Sequence, residues 1–203
     1  MDICPSELTA EQSYKLLTGI VVPRPIAWVT TLSPMGVVNL APFSAFTFVS
    51  PKPPMLAISI GRKAGVYKDT AKNILSTEEF VVNIADQTLI EAVHMSAVEY
   101  PAHVSEVKAL GLGTEPSRDV APPRIAAAPI SVECRLRHCI EFGETRSRLI
   151  VGEALRFHVW DGLVHDGKIE TMALNPIARL GGPNYATLGE VVTMAPIAQT
   201  PKS

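Results

Sequence analysis

The chain of 203 residues reads as a mainly β protein, an antiparallel barrel with peripheral helices. Three observations point there. Short runs of strand-forming residues recur along most of the chain, joined by brief connections. Many of the 17 prolines and 13 glycines fall between those runs, where turns need them. Helical patterns are few and short. The length favours one domain spanning residues 1–203 over two small ones, and 47% hydrophobic residues supply a large core. The tail after about Thr193 reads as loose.

Taken in order, Thr9–Leu17 reads as a short helix, with Thr9 as N-cap and Gln12 completing a capping box. Two prolines then favour an extended entry, through Pro23-Arg24-Pro25, to a strand over Ile26–Thr31. Ser33-Pro34-Met35-Gly36 is a turn into a second strand from Val37, which makes a hairpin. The run from Val37 to Val49 contains Pro42, which cannot donate to a ladder, so pairing should be interrupted there. After the rigid Ser50-Pro-Lys-Pro-Pro54 come a strand over Met55–Ile60 and a helix from Lys68 to about Leu75, capped by Asp69 or Thr70. Phe80–Ala85 is the next strand, and Thr88 to Glu91 a second capping-box match before a helix to about Val98. Residues 100–129 read as a long loop with a short element near Val104–Leu110, the natural place for substrate selectivity. In Ser131–Phe142 the even positions face one way while Glu133, Arg135, Arg137 and Glu141 face the other, the pattern of a half-buried strand. Leu149–Val159 repeats it, and Trp160-Asp161-Gly162 turns into Leu163–His165.

The formal net charge of −2 offers no basic field for nucleic acid, and no apolar run is long enough to span a membrane. Cys4, Cys134 and Cys139 make no disulfide framework, and the opening Met-Asp-Ile-Cys-Pro lacks a signal-peptide pattern. A reducing cytoplasm is the expected location. The five histidines have no zinc-type spacing, so no metal site is expected. Gly111-Leu-Gly113 lacks a third glycine, there is no Gly-Lys-Ser/Thr loop, and there is no Gly-x-Ser-x-Gly elbow.

Two features carry chemistry. An interrupted strand at Pro42 frees backbone groups that a polar planar ligand could satisfy, although a plain proline bulge reads the same. Beyond it, Ser59, Arg62, Lys63, Lys68 and Thr70 gather hydroxyls and cations between a strand end and a helix start, as a phosphate requires. A helix cap among ordinary surface lysines would also fit. Thr30, Thr31 and Ser44 add hydroxyls on adjacent strands, where threonine is common without any function.

In combination these pieces resemble a known family. Arg24-Pro-Ile-Ala-Trp-Val-Thr-Thr31, Gly36, Asn39-Leu-Ala-Pro-Phe-Ser44, Pro53-Pro54, Lys68-Asp-Thr70, Asn73, Phe80-Val-Val-Asn-Ile84 and Pro176-Ile-Ala-Arg-Leu-Gly-Gly-Pro-Asn-Tyr185 are similar to motifs of the flavin reductase-like family with the FMN-binding split-barrel fold. The resemblance covers about residues 10–190. It implies an antiparallel Greek-key split β-barrel and a homodimer with FMN near the interface. It further implies that Thr30, Thr31, Asn39, Leu40, Ala41, Pro42, Phe43 and Ser44 line the ribityl chain and ring. Ser59, Arg62, Lys68, Asp69, Thr70 and Asn73 would surround the phosphate end, and Arg179 and Tyr185 would lie close to a flavin. The implied activity is hydride transfer from NADH or NADPH to FMN, supplying reduced flavin to a partner monooxygenase. Its alternatives are a flavoredoxin-like electron carrier serving a protein partner and a flavin-binding protein without turnover. No side-chain acid or base is needed for such a hydride transfer, so no catalytic residue is expected.

Overall fold

The computed structural model describes residues 1–197. The first helix, α1 (Ala10–Ile20), starts where its capping box puts it: Thr9 Oγ1 accepts from Gln12 N at 3.2 Å, and Gln12 Oε1 from Thr9 N at 2.8 Å. It runs past the predicted end at Leu17 and buries no residue. Thr9→Ala is expected to cost about 1 kcal/mol, read as a lower midpoint in urea unfolding. An unchanged midpoint would show that α1 contributes nothing to global stability.

Then follow β1 (Arg24–Pro25), β2 (Ala27–Leu32), β3 (Val38–Phe43), β4 (Phe46–Pro51) and β5 (Pro54–Ile60). The short pair β6 (Arg62–Lys63) and β7 (Val66–Tyr67) leads to α2 (Asp69–Thr77) and β8 (Glu79–Ile84). Next come α3 (Ile90–Met95), α4 (Glu106–Ala109), and the small hairpin β9 (Thr114–Glu115) and β10 (Arg124–Ile125). The long hairpin β11 (Ile130–Phe142) and β12 (Ser147–Val159) is followed by β13 (Val164–His165), β14 (Lys168–Ile169), α5 (Thr171–Leu174), β15 (Ala178–Arg179) and β16 (Tyr185–Ala186).

Seven strands form one antiparallel sheet in the order β3-β2-β8-β11-β12-β5-β4. Its two outer strands, β3 and β4, are consecutive in the chain and meet at Ser44–Ala45. There the backbone N–H of Ser59 donates to Ala45 O at 2.8 Å. One face of the sheet packs Val29, Ile58, Phe80, Val82 and Ile150 against Ala71 and Ile74 of α2. The other carries Trp28 and Leu40 against Val93, Val107 and Ile125. Packing on both faces leaves β2 buried in all but its last position, with Thr30 and Thr31 as its polar members. Among the described residues no helix is long and apolar enough to cross a membrane.

Several sequence expectations are corrected. Pro42 does not break its strand: β3 runs through it opposite Trp28, and the break comes at Ser44–Ala45. An outer strand tolerates proline because no further strand needs its N–H. The cap of α2 is Lys68, through its backbone only, while Asp69 pairs with Lys72 at 2.8 Å. Thr88 starts no helix, because Asp86 caps the turn by accepting from Thr88 N at 2.9 Å, and α3 ends at Met95. The alternation in β11 fails as well. Its first half is buried on both faces, with Glu133 fully enclosed, its second half is mostly exposed, and register shifts separate Glu133/Cys134 and Leu136/His138. The 100–129 loop does hold a short helix, α4, within the predicted element, plus a hairpin. Residues 187–197 carry no regular element. The rest of the tail expected to be loose, 198–203, lies outside the described residues.

Candidate functional site

Four of the sequence-predicted site residues meet where α2 packs across β2 and β3. Thr31 and Asn39 are direct neighbours across the two strands. Asn73 Nδ2 donates to Thr31 Oγ1 at 3.0 Å, and Asn39 Nδ2 donates to Thr70 Oγ1 at 2.9 Å. Thr31, Thr70 and Asn73 are buried. A buried hydroxyl or amide without a partner would be costly, so these two bonds fix the helix to the strands at one register. Thr30 faces the other way, and its hydroxyl donates to Pro123 O at 2.6 Å. Leu40 is fully enclosed and its N–H donates to Glu106 Oε2 at 2.9 Å. Burial pushes the Glu106 carboxyl above its usual pKa, against the pull of that hydrogen bond.

A second group lies at the Ser44–Ala45 corner. Ala41 and Pro42 lead into it half-buried and Phe43 is buried, with Lys68 Nζ 5.6 Å from the Phe43 ring centroid. Ser59, at the end of β5, is tied to the corner by its bond to Ala45. Lys68 forms no ion pair within 4 Å among the described residues. Burial lowers its pKa, with Glu99 raising it and Lys63 lowering it further. Lys63 itself is paired with Glu99. Asp69 and Asn73, together with Asn39, line a cleft of about 560 Å³ between the β2–β3 turn, α2 and residues 101–106. Arg62 stacks on Tyr67 with Cζ 3.9 Å from the ring centroid and donates to Tyr67 Oη and to Glu141 Oε2, the latter at 3.0 Å. Its Nε is buried without a partner.

The C-terminal motif forms the third group. Arg179 NH1 donates to Tyr185 Oη at 2.5 Å, its guanidinium lies 4.5 Å from the Tyr185 ring centroid, and Nε and NH2 both donate to Gly182 O. His94 Nδ1 approaches the same hydroxyl at 3.3 Å. Burial raises the Tyr185 pKa, with Arg179 opposing. Arg24 connects this group to the corner. Its Nε donates to Ser44 Oγ at 3.2 Å, NH2 to Leu180 O at 2.9 Å, and NH1 to Thr18 O and Val21 O at 2.5 and 2.7 Å.

The structure thus gathers Phe43, Ser44, Ser59 and Lys68 at one corner, with Arg62 beyond them, and Thr31, Asn39, Thr70 and Asn73 beneath α2. Thr30 and Leu40 point to the opposite side of β2 and β3. Sequence reasoning missed Arg24 as a connector, His94, Glu106 and the Tyr67–Glu141 contact. Only Arg24 had a signal, its place at the head of the first motif. A second cleft, about 450 Å³, lies between the β9–β10 hairpin and the end of β12, and no sequence-predicted site residue lines it.

A model of the flavin reductase-like domain matches residues 19–172. The chain belongs to the flavin reductase-like family. An uncharacterized protein from Halalkalibacterium halodurans is 41% identical over 199 residues, covering 96% of this chain and 95% of that one. Among solved structures, nitrilotriacetate monooxygenase component B from Bacillus cereus superposes with a TM-score of 0.92 at 39% identity, over 96% of this chain and 98% of that one. The 2-nitrobenzoate 2-nitroreductase of Pseudomonas fluorescens follows at 0.89 and 35%, over 100% and 99%. These family members match over nearly their full length, so the corner and the C-terminal motif both fall inside the shared fold.

Proposed function

We propose that this chain is an FMN-binding flavin reductase that takes hydride from NADH or NADPH and passes reduced flavin to a partner monooxygenase. It would act as a homodimer on a sheet closed as a Greek-key split barrel. The observation that carries the reading is Lys68, a cation with no ion pair within 4 Å among the described residues, beside the Ser44–Ala45 corner. A phosphate monoester fits that position, since the amine is desolvated and Ser59 lies at the same corner. FMN, when bound, supplies the hydride-accepting chemistry.

The chain's own residues bind and orient. Lys68, Ser59 and Arg62 hold the phosphate. The backbone of Ala41, Pro42, Phe43 and Ser44 offers polar groups to the ring edge at the break between β3 and β4. Thr31, Asn39, Thr70 and Asn73 keep α2, and so Lys68 and Asp69, in register with the strands. Thr30 and Leu40 hold the outer side of β2 and β3 against Pro123 and Glu106. Arg179 and Tyr185 lie near the flavin of one protomer or the other. The likeness to a monooxygenase component B supports the supply role. The likeness to a nitroreductase supports a second reading, direct reduction of a small organic acceptor at the same flavin.

The test is anaerobic. Protein reconstituted with FMN is mixed with NADH or NADPH, and the flavin absorbance is followed. Rapid bleaching by one nucleotide is expected; bound FMN that neither nucleotide bleaches would leave an electron carrier or a binding protein instead. Lys68→Met is expected to weaken FMN about tenfold while leaving riboflavin affinity nearly unchanged. Equal loss for both ligands in equilibrium titration would sink the phosphate assignment.

A further inference from the structure

The cleft of about 450 Å³ between the β9–β10 hairpin and the end of β12 has no part in the flavin reading. Its walls follow from where strands stop. β5 accompanies β12 only as far as Glu153, so Ala154–Val159 keeps a sheet neighbour, β11, on one side alone. Phe157, in that half-paired run, and Trp160, just past it, stay 57% and 49% exposed, and both line the cleft. A single surface aromatic needs no explanation, but two on one concave wall offer a flat apolar surface to a ligand. Three guanidinium groups, of Arg118, Arg124 and Arg156, line the same cleft. Arg124 NH2 donates to Glu115 Oε2 at 2.7 Å, and Arg156 grips the Asp119 carboxylate with Nε at 2.6 Å and NH2 at 3.3 Å. Arg118 differs: its guanidinium donates no hydrogen bond and makes no ion pair among the described residues.

The wall is also held in place from beneath. The buried Glu133 carboxylate accepts from the backbone amides of Arg118 and Asp119 at 2.8 and 2.6 Å, and from His158, which itself lines the cleft. The cations therefore stand on a fixed loop, so ordering them costs a ligand little. Asp161 is the remaining charge of the lining; it is exposed, where solvent screens it. We propose that this cleft binds a small aromatic carboxylate, its carboxylate on the Arg118 guanidinium and its ring against Trp160 and Phe157. A guanidinium fork meets a carboxylate with two parallel hydrogen bonds, and an aromatic wall takes a flat ring by stacking or edge contact. The volume falls within the range of about 300–1,000 Å³ that small-molecule sites occupy. With Arg124 and Arg156 already neutralised, one surplus cation suits a monoanion. None of these residues belongs to the Ser44–Ala45 corner, and neither the site nor its test depends on bound flavin.

Trp160 reports on the site directly. The chain has two tryptophans and Trp28 is fully enclosed, so a ligand that changes tryptophan fluorescence from solution is read by Trp160. The experiment titrates the full chain with benzoate and with benzamide, its neutral counterpart of the same shape, following that fluorescence and, in parallel, the heat of binding. A saturable change is expected with benzoate, half-complete at about 1 mM or below, and about tenfold weaker binding with benzamide. Arg118→Gln should weaken benzoate about tenfold, and Arg118→Lys should restore part of the loss. Asp161→Asn should tighten benzoate severalfold by removing the nearby negative charge. Trp160→Ala, read by heat alone, should weaken benzoate and benzamide alike, because it removes the ring contact and leaves the cation. FMN affinity should stay within about twofold in every variant. Equal binding of benzoate and benzamide overturns the proposal, by reducing the cleft to an apolar surface without charge recognition. Benzoate binding unchanged in Arg118→Gln overturns it too, as does the absence of any saturable change with benzoate. Displacement of benzoate by FMN also overturns it, by assigning the carboxylate to the flavin corner.

Discussion

Replacing Glu133 with alanine is expected to destabilise the fold by about 3–5 kcal/mol, measured as the loss of unfolding free energy in urea. The side chain is completely enclosed and accepts three hydrogen bonds: from Arg118 N at 2.8 Å, from Asp119 N at 2.6 Å, and at 2.5 Å from His158 Nε2. Truncation leaves two backbone amides and an imidazole facing a void, each now without an acceptor. The damage should spread, because these amides hold the 114–125 segment over the sheet together with Asn83, which accepts from Ile125 N, and Glu79, which accepts from Ala121 N. A loss below about 1 kcal/mol would mean that water replaces the carboxylate.

Acid should act on the same group. Burial opposes ionisation of Glu133, but donation from Arg118 N, His158 and Asp119 N outweighs it, and the carboxyl sits below its usual pKa of 4.5. A group with a lowered folded pKa stabilises fully above its unfolded value and loses that contribution as pH falls through the folded one. The wild type should therefore lose stability below about pH 4.5. Glu133→Gln, weaker at neutral pH, should show a flatter acid limb. Parallel limbs in unfolding titrations from pH 7 down to about pH 2 would assign the acid loss to other carboxylates.

Gly152→Val is expected to cost about 3 kcal/mol or more and to yield little folded protein. Gly152 lies in β12 opposite Leu136 and Leu56. A Cβ built there would sit 2.3 Å from Phe80 Cζ and 2.7 Å from Cε1, with Cys134 Cβ at 3.3 Å. Phe80 has no exposed surface and packs among Val82, Ile150 and Cys134, so its ring has no free volume to enter. Even Gly152→Ala meets the same contact. Phe80→Leu in the same chain should recover part of the loss, because it removes the ring atoms that clash. Failure of that pair to recover any thermal stability would place the fault in the backbone rather than in the overlap.

Much of this was legible along the chain. The Thr9 and Gln12 side chains carry their cap within three residues, and Gly36, with φ of +76°, carries the β2–β3 turn; both are local geometry and both are found. The motifs from Arg24 to Asn73 identified the family because order and spacing are properties of sequence. The face of β11 was misread because periodicity reports burial only when one side of a strand meets solvent. Here the 114–125 segment covers the second side, and nothing in the alternation of Glu133, Arg135 and Arg137 records that cover.

The amino-acid order by itself determined the strand-rich class, the family, and the placing of Ser59, Arg62 and Lys68 between the end of β5 and the start of α2, since each rests on local propensity or on a spaced motif. Tertiary structure alone decided which polar groups meet. Asn73 reaches Thr31 across 42 positions, Glu133 reaches His158 across 25, and Arg62 reaches Glu141 across 79. Such pairings depend on which strands become neighbours and at what register, and a one-residue slip would send each side chain to the opposite face.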